Sequence, residues 1–216
     1  MPKFSLKDVK GRNGVALVST FLFVCLLLVG CGRKMAVEEF ALPESVQLQT
    51  GDLVFRVGTS KESRTVVTLD RNSLYSHIGM VVYHDGRWWV LHAVPNERAS
   101  KQEKDSVKLE PLGVFFRSDR ADKGCVCRYP ISPDDTLRLK RRALDLYRRH
   151  LVFDTNFDDR DTNAFYCTEL VCFLYQQVLG VDLAESRRHR VPAFPEMVFC
   201  SDVIQNPKLQ EIYRFE

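Results

Sequence analysis

The chain has 216 residues, 45% of them hydrophobic, with 31 Lys and Arg against 28 Asp and Glu. Four of those basic side chains and one acidic one lie in the first 30 residues, so the remainder holds 27 of each and is formally neutral. A neutral body has no basic excess for nucleic-acid binding, and about 180 residues suit one domain with a full core.

The N-terminus presents Lys3, Lys7, Lys10 and Arg12, then an apolar run from Val15 to Gly30. A basic segment ahead of such a run is the pattern of an export leader, not of a fold element. The run ends Leu28-Val29-Gly30-Cys31-Gly32, which resembles the lipobox of bacterial lipoproteins. That resemblance implies cleavage before Cys31 and lipidation of it: a signal peptide over 1–30, a lipidated N-terminus and polar spacer over 31–49, and a domain over 50–216. An uncleaved anchor is the alternative, since the run is near the lower length limit for a membrane span. Either way the domain is expected in the bacterial cell envelope, tethered to a membrane and outside the cytoplasm, and as a monomer. Beyond Cys31 the cysteines are Cys125, Cys127, Cys167, Cys172 and Cys200. An odd number in an exported chain predicts a free thiol or an intermolecular bridge. No pair has zinc-finger spacing.

The domain is predicted to open with a strand over 51–55, followed by a polar stretch over 58–74 with a short helix near 65–69. Residues 76–83 are a β-rich run, Asp85-Gly86 is a strong hairpin signal, and 88–94 form the partner strand. A two-residue loop at Asp85-Gly86 sets the register: Gly79 faces His92, and His77 faces Val94. Opposed residues share a face, as do residues two apart, so His77 and His92 are diagonal neighbours on one face. Glycine opposite His92 leaves room for the two imidazoles to lean together. His84 beside the turn, and His150 and His189 among arginines, read as surface residues.

A charged loop over 96–106 precedes strands over 107–116 and 125–131. Residues 134–150 form a basic amphipathic helix with an apolar stripe that includes Leu137, Leu144 and Tyr147. Such a helix can lie on a membrane, although its charged face is more often simply solvated. An aspartate-rich loop over 153–163 lacks EF-hand spacing and glycine, which argues against calcium. From Asn163 to Gly180, apolar residues recur at helical spacing, with Gly180 as the stop and Asp161, Thr162 and Asn163 as cap chemistry. The helix is expected to begin near Tyr166, which puts Cys167 in its first turn. There the helix dipole and unpaired amides favour a thiolate and offer donors to an oxyanion. A short helix within 192–203 and a closing strand over 212–215 complete the chain.

Gly51-Asp52-Leu53-Val54-Phe55, Ser76-His77-Ile78-Gly79-Met80-Val81-Val82 and Val90-Leu91-His92-Ala93-Val94-Pro95 together resemble the strand block of NlpC-like papain-fold cysteine peptidases. The cysteine motif Tyr166-Cys167-Thr168-Glu169-Leu170-Val171 follows that block instead of preceding it, an order similar to the circularly permuted YiiX- and YaeF-like branch. The resemblance implies an α+β fold, an antiparallel sheet (a small half-barrel) packed on the helix that bears the nucleophile. It also implies a Cys-His-His site: Cys167 as nucleophile, His77 as general base, His92 as the residue that orients His77. The permuted branch often has glutamate where His92 sits. The implied activity is a cysteine amidase or peptidase on cell-wall peptides, or on lipid amides or esters as a hydrolase or acyltransferase, without cofactor or metal. Two other classes remain on the same residues. His77, His92 and Cys167 form a possible zinc ligand set, and an inactive fold could serve only to bind a ligand.

Overall fold

Alternation of apolar residues along the strands gives the sheet two buried faces. In this computed structural model residues 40–70, 74–97, 104–158, 161–192 and 194–216 are described. The elements in chain order are β1 (Leu53–Gly58), α1 (Lys61–Leu69), β2 (His77–His84), β3 (Arg87–Val94), β4 (Ser106–Pro111), α2 (Leu112–Phe115), β5 (Ala121–Arg128) and α3 (Pro133–Arg148). There follow β6 (Val152–Phe153), β7 (Ala164–Phe165), α4 (Cys167–Leu179), β8 (His189–Arg190), β9 (Glu196–Met197), α5 (Cys200–Ile204) and β10 (Gln210–Phe215). Eight strands make one sheet in the order β10-β5-β1-β2-β3-β4-β6-β7, antiparallel throughout except for the β6–β7 pair.

On one face Leu53, Phe55, Ile78, Met80, Val82, Leu91 and Ala93 form a core with Leu139, Leu146, Leu170 and Leu174 of α3 and α4. On the other, Val54, Val81, Val90 and Val126 pack against Leu112, Phe115 and Phe116. Each such side chain contributes roughly 1.5–3 kcal/mol by leaving water. The period of two therefore fixes which strand residues meet the helices and which do not.

The hairpin has the expected register, with His84 paired to Arg87 and Met80 to Leu91. Asp85 and Gly86 have φ of 47° and 77°, the left-handed pair that a tight two-residue turn needs. Helix α3 begins at Ser132, whose Oγ accepts the Asp135 amide at 3.1 Å. Leu137 and Tyr147, expected in its apolar stripe, are instead 52% and 37% exposed.

Three further expectations change. The strand foreseen over 107–116 stops at Pro111, and residues 112–115 turn into α2, which carries Phe115 under the histidines. The short helix expected within 192–203 runs over Cys200–Ile204. Residues 40–49 are not a loose spacer: Phe40 packs on Phe116 and Phe215, with ring centroids 5.3 and 4.4 Å apart. The leader over 1–30 and Cys31 lie outside the described residues. Among the described residues no helix is long and apolar enough to cross a membrane.

Candidate active site

Helix α4 starts where its residues dictate. Tyr166 is the N-cap in extended conformation, and its amide donates to the Glu169 carboxylate at 3.1 Å. The cap chemistry is thus supplied by Glu169 from inside the helix and not by Asp161, Thr162 or Asn163; Asp161 caps its own turn by accepting the Asn163 amide at 2.9 Å. Gly180 ends the helix with φ of 67°, as glycine past a C-terminus does. Cys167 is therefore the first helical residue, partly exposed beside the main core.

The Cys167 sulfur meets the Cys200 thiol, the His77 ring and the Ile78 amide. The Cys200 thiol contributes most to holding Cys167 well below the usual thiol range; burial opposes it, and His77 and Ile78 add to it. The site thus favours a thiolate, the nucleophilic form of cysteine.

His77 and His92 share one face of the β2–β3 hairpin, and His77 Nε2 lies 2.8 Å from His92 Nδ1. Their rings meet edge to face, 5.0 Å between centroids. Gly79 makes this approach possible. A Cβ there would stand 2.4 Å from Val90 Cγ1 and 3.1 Å from His92 Cβ. Phe115 stacks on His77 and meets His92 edge-on, closing the site to water from behind.

His92 Nε2 in turn lies 3.0 Å from Glu110 Oε1, an ion-pair contact without the alignment of a good hydrogen bond. Glu110 also accepts from Arg120 at 2.7 Å, Arg120 reaches Glu97 at 3.2 Å, and Glu97 pairs with the buried Arg56. Burial pushes the Glu110 carboxyl up, but His92 and Arg120 together outweigh it and hold the group well below the ordinary carboxylate range.

This order assigns the protons. An ionised Glu110 only accepts, so the tautomer of His92 that suits it carries hydrogen on Nε2 and offers the Nδ1 lone pair. His77 then donates from Nε2 and turns its free Nδ1 lone pair to Cys167. Burial, foremost, lowers His77 to about 4 against the opposing contact with Cys167, and the nearby Arg56 and His92 lower it further. The ring is thus neutral at neutral pH and ready to accept a proton.

Cys167, His77 and His92 are brought together as the sequence implied. Glu110, Arg120, Glu97, Arg56 and Cys200 were not foreseen. Arg56 sits opposite His77 on β1, and Glu110 lies two residues along β4 from Lys108, the partner of His92. Both follow from register alone, but with residues 95–105 between β3 and β4 no turn rule sets the β3–β4 register. His84, beside the turn as expected, lies 3.3 Å from Asp85, while His189, its side chain 40% exposed, is also held by Asp202 at 2.7 Å.

The zinc reading does not fit. Two imidazole nitrogens bound to one zinc at 2.0–2.1 Å both aim at the ion, whereas here they aim at each other across a hydrogen bond. Among the described residues no group of three or more His, Cys, Asp or Glu converges in a way that could hold a metal.

A cysteine at a helix start, facing a histidine on an antiparallel sheet that precedes it in the chain, is the arrangement of a papain-like fold in permuted order. Residues 47–213 match the family of permuted papain-like amidase enzymes, YaeF/YiiX, C92 family, and the chain belongs to that family. It is 30% identical over 146 residues to protein YiiX of Escherichia coli (strain K12), a match that covers 66% of this chain and 64% of that relative. The chain thus spans a little under two thirds of the curated relative's length. The crystal structure of the metalloprotein yiiX from Escherichia coli O157:H7 superimposes with a TM-score of 0.64 at 23% identity, over 78% of this chain and 98% of that one.

Proposed function

We propose that this chain is a cysteine amidase or peptidase that acts on peptides of the bacterial cell wall, held to a membrane through a lipid on Cys31. The observation that carries the catalytic part is the 2.8 Å contact of His77 Nε2 with His92 Nδ1, with Cys167 against the His77 ring and Glu110 3.0 Å from His92 Nε2 in one line. An inert binding fold has no need of such a line.

In this mechanism the proton given up by Cys167 is held on His77 Nδ1 while the thiolate attacks the carbonyl carbon of an amide. The tetrahedral oxyanion is met by backbone amides at the start of α4. His77 returns the proton to the leaving amine, and the amine departs from an acyl-Cys167 thioester. His77 then deprotonates a water that hydrolyses the thioester. Glu110 and His92 keep His77 in the tautomer that can do this, and stabilise it when charged.

One observation favours lipid amides or esters as a second substrate class. Phe153, Phe157 and Val191 cluster around Tyr166, directly before the nucleophile, and the ring of Phe194, 42% exposed, lies 5.3 Å from that of Phe157. Incubating the purified chain with wall stem peptides and, separately, with long-chain amides tests the choice by product mass. Release of a free amine from wall peptides, lost in Cys167→Ser, is the expected result; cleavage of the lipid amides alone would overturn the wall-peptide reading.

A further inference from the structure

Cys200 is 2% exposed, begins α5, and belongs to the core cluster against which Cys167 packs. The segment leading to it is clamped by both neighbours of the nucleophile. Thr168 Oγ1 donates to the Val198 carbonyl at 2.7 Å, and the Val198 amide donates to the Tyr166 hydroxyl at 3.2 Å. On the far side the Ser201 amide donates to Asp70 Oδ2 at 3.0 Å, and the Phe199 amide to Asp202 Oδ2 at 2.8 Å. The thiol so fixed lies against the Cys167 sulfur. Hydrolysis as set out above gives Cys200 no group to attack and no proton to transfer.

We propose that Cys200 is a resolving thiol, closing a reversible disulfide with Cys167 when a hydroperoxide enters the cleft. This rests on the reading of Cys167 as a thiolate nucleophile. In the first step the Cys167 thiolate attacks one peroxide oxygen, the O–O bond breaks, and hydroxide leaves a sulfenic acid on Cys167. In the second, Cys200 sulfur attacks the Cys167 sulfur and the S–O bond breaks. The departing hydroxide takes the Cys200 proton as water. The two sulfurs give up two electrons, and the peroxide takes them.

The site times the second step. The contact with the Cys167 thiolate, foremost, together with burial, holds the Cys200 thiol well above the usual range. A neutral sulfenic acid at Cys167 removes that contact's hold and frees Cys200 to react when its partner is oxidised. The other cysteines are badly placed. Cys172 is five residues further along α4, about 7.5 Å up the axis and well round from Cys167. Cys125 and Cys127 face each other on β5 with sulfurs 3.9 Å apart.

The test is peptide mapping by mass after the full-length chain is treated with hydrogen peroxide and free thiols are blocked with N-ethylmaleimide. The expected result is a Cys167–Cys200 cross-linked peptide that disappears on dithiothreitol treatment. In Cys200→Ser, dimedone should trap sulfenic acid at Cys167, and sulfinic acid should accumulate at several times the wild-type level. Sulfinic acid at Cys167 beside an unoxidised Cys200 in the wild-type chain, or a cross-link from Cys167 to any other cysteine, would overturn the proposal. The wild-type map decides even where a variant folds poorly. It reads mass and needs no turnover, so it stands or falls separately from the amidase reading.

Discussion

Cys167 differs from its neighbouring thiols in its surroundings more than in its position. The Cys200 thiol, the His77 ring and the Ile78 amide converge on its sulfur, whereas burial pushes Cys172 up to about 12. Iodoacetamide should therefore label Cys167 first, with a half-maximal rate well below the ordinary thiol value near 8.5. Peptide mapping across a pH series checks this, and a midpoint at or above that value would contradict it. Glu110 reaches Cys167 only through two imidazoles, so its effect belongs to proton placement. Glu110→Gln keeps the volume but offers an N–H where His92 needs an acceptor. A fall in kcat of about 10²-fold is expected, with KM little changed and the acid limb of the pH–rate profile displaced. Equal loss in kcat and folded fraction would instead assign Glu110 to stability alone.

At the scale of elements, the β2–β3 hairpin is the part that chemistry constrains most. Gly79→Ala would drive a methyl into Val90 and His92. It should cost about 1–3 kcal/mol in chemical denaturation, as overpacking does, and should lower kcat by parting the rings. Glu169→Ala removes the acceptor for the Tyr166 amide and should cost about 1 kcal/mol, with the helix start loosened around Cys167. These two elements were also the most legible in the sequence. Asp85-Gly86 admits one tight turn, which fixes the facing of His77 and His92. The helical spacing up to Gly180 places Cys167 in a first turn. The rest depended on contacts that no local rule encodes. Glu110 needed the β3–β4 register, which no short turn sets, and its strand gives way to α2 just after Pro111. Cys200 reaches Cys167 through a segment whose described residues hold two short strands and no long helix to give it a period.

For the molecule as a whole, the two-faced sheet keeps the proton line dry, and that dryness makes stability depend on pH. His77 falls from an ordinary value near 6.5 to about 4 on folding. The unfolded chain therefore binds that proton more readily, and stability is full above pH 6.5 and declines as pH falls toward 4. At one unit per 1.36 kcal/mol the loss is about 3 kcal/mol at most. Glu110, held low in the fold, adds a further loss as pH falls through the ordinary carboxylate range. Urea midpoints measured from pH 7 to pH 4 should fall steadily, and His77→Gln should flatten the upper part of that slope. The most direct measurement of the central claim is the mass of the chain quenched in acid during turnover of an amide substrate. The account expects an acyl group on the peptide that contains Cys167, absent in Cys167→Ser along with product. Product formed by the Cys167→Ser chain at the wild-type rate, or an acyl group on any other residue, would contradict it.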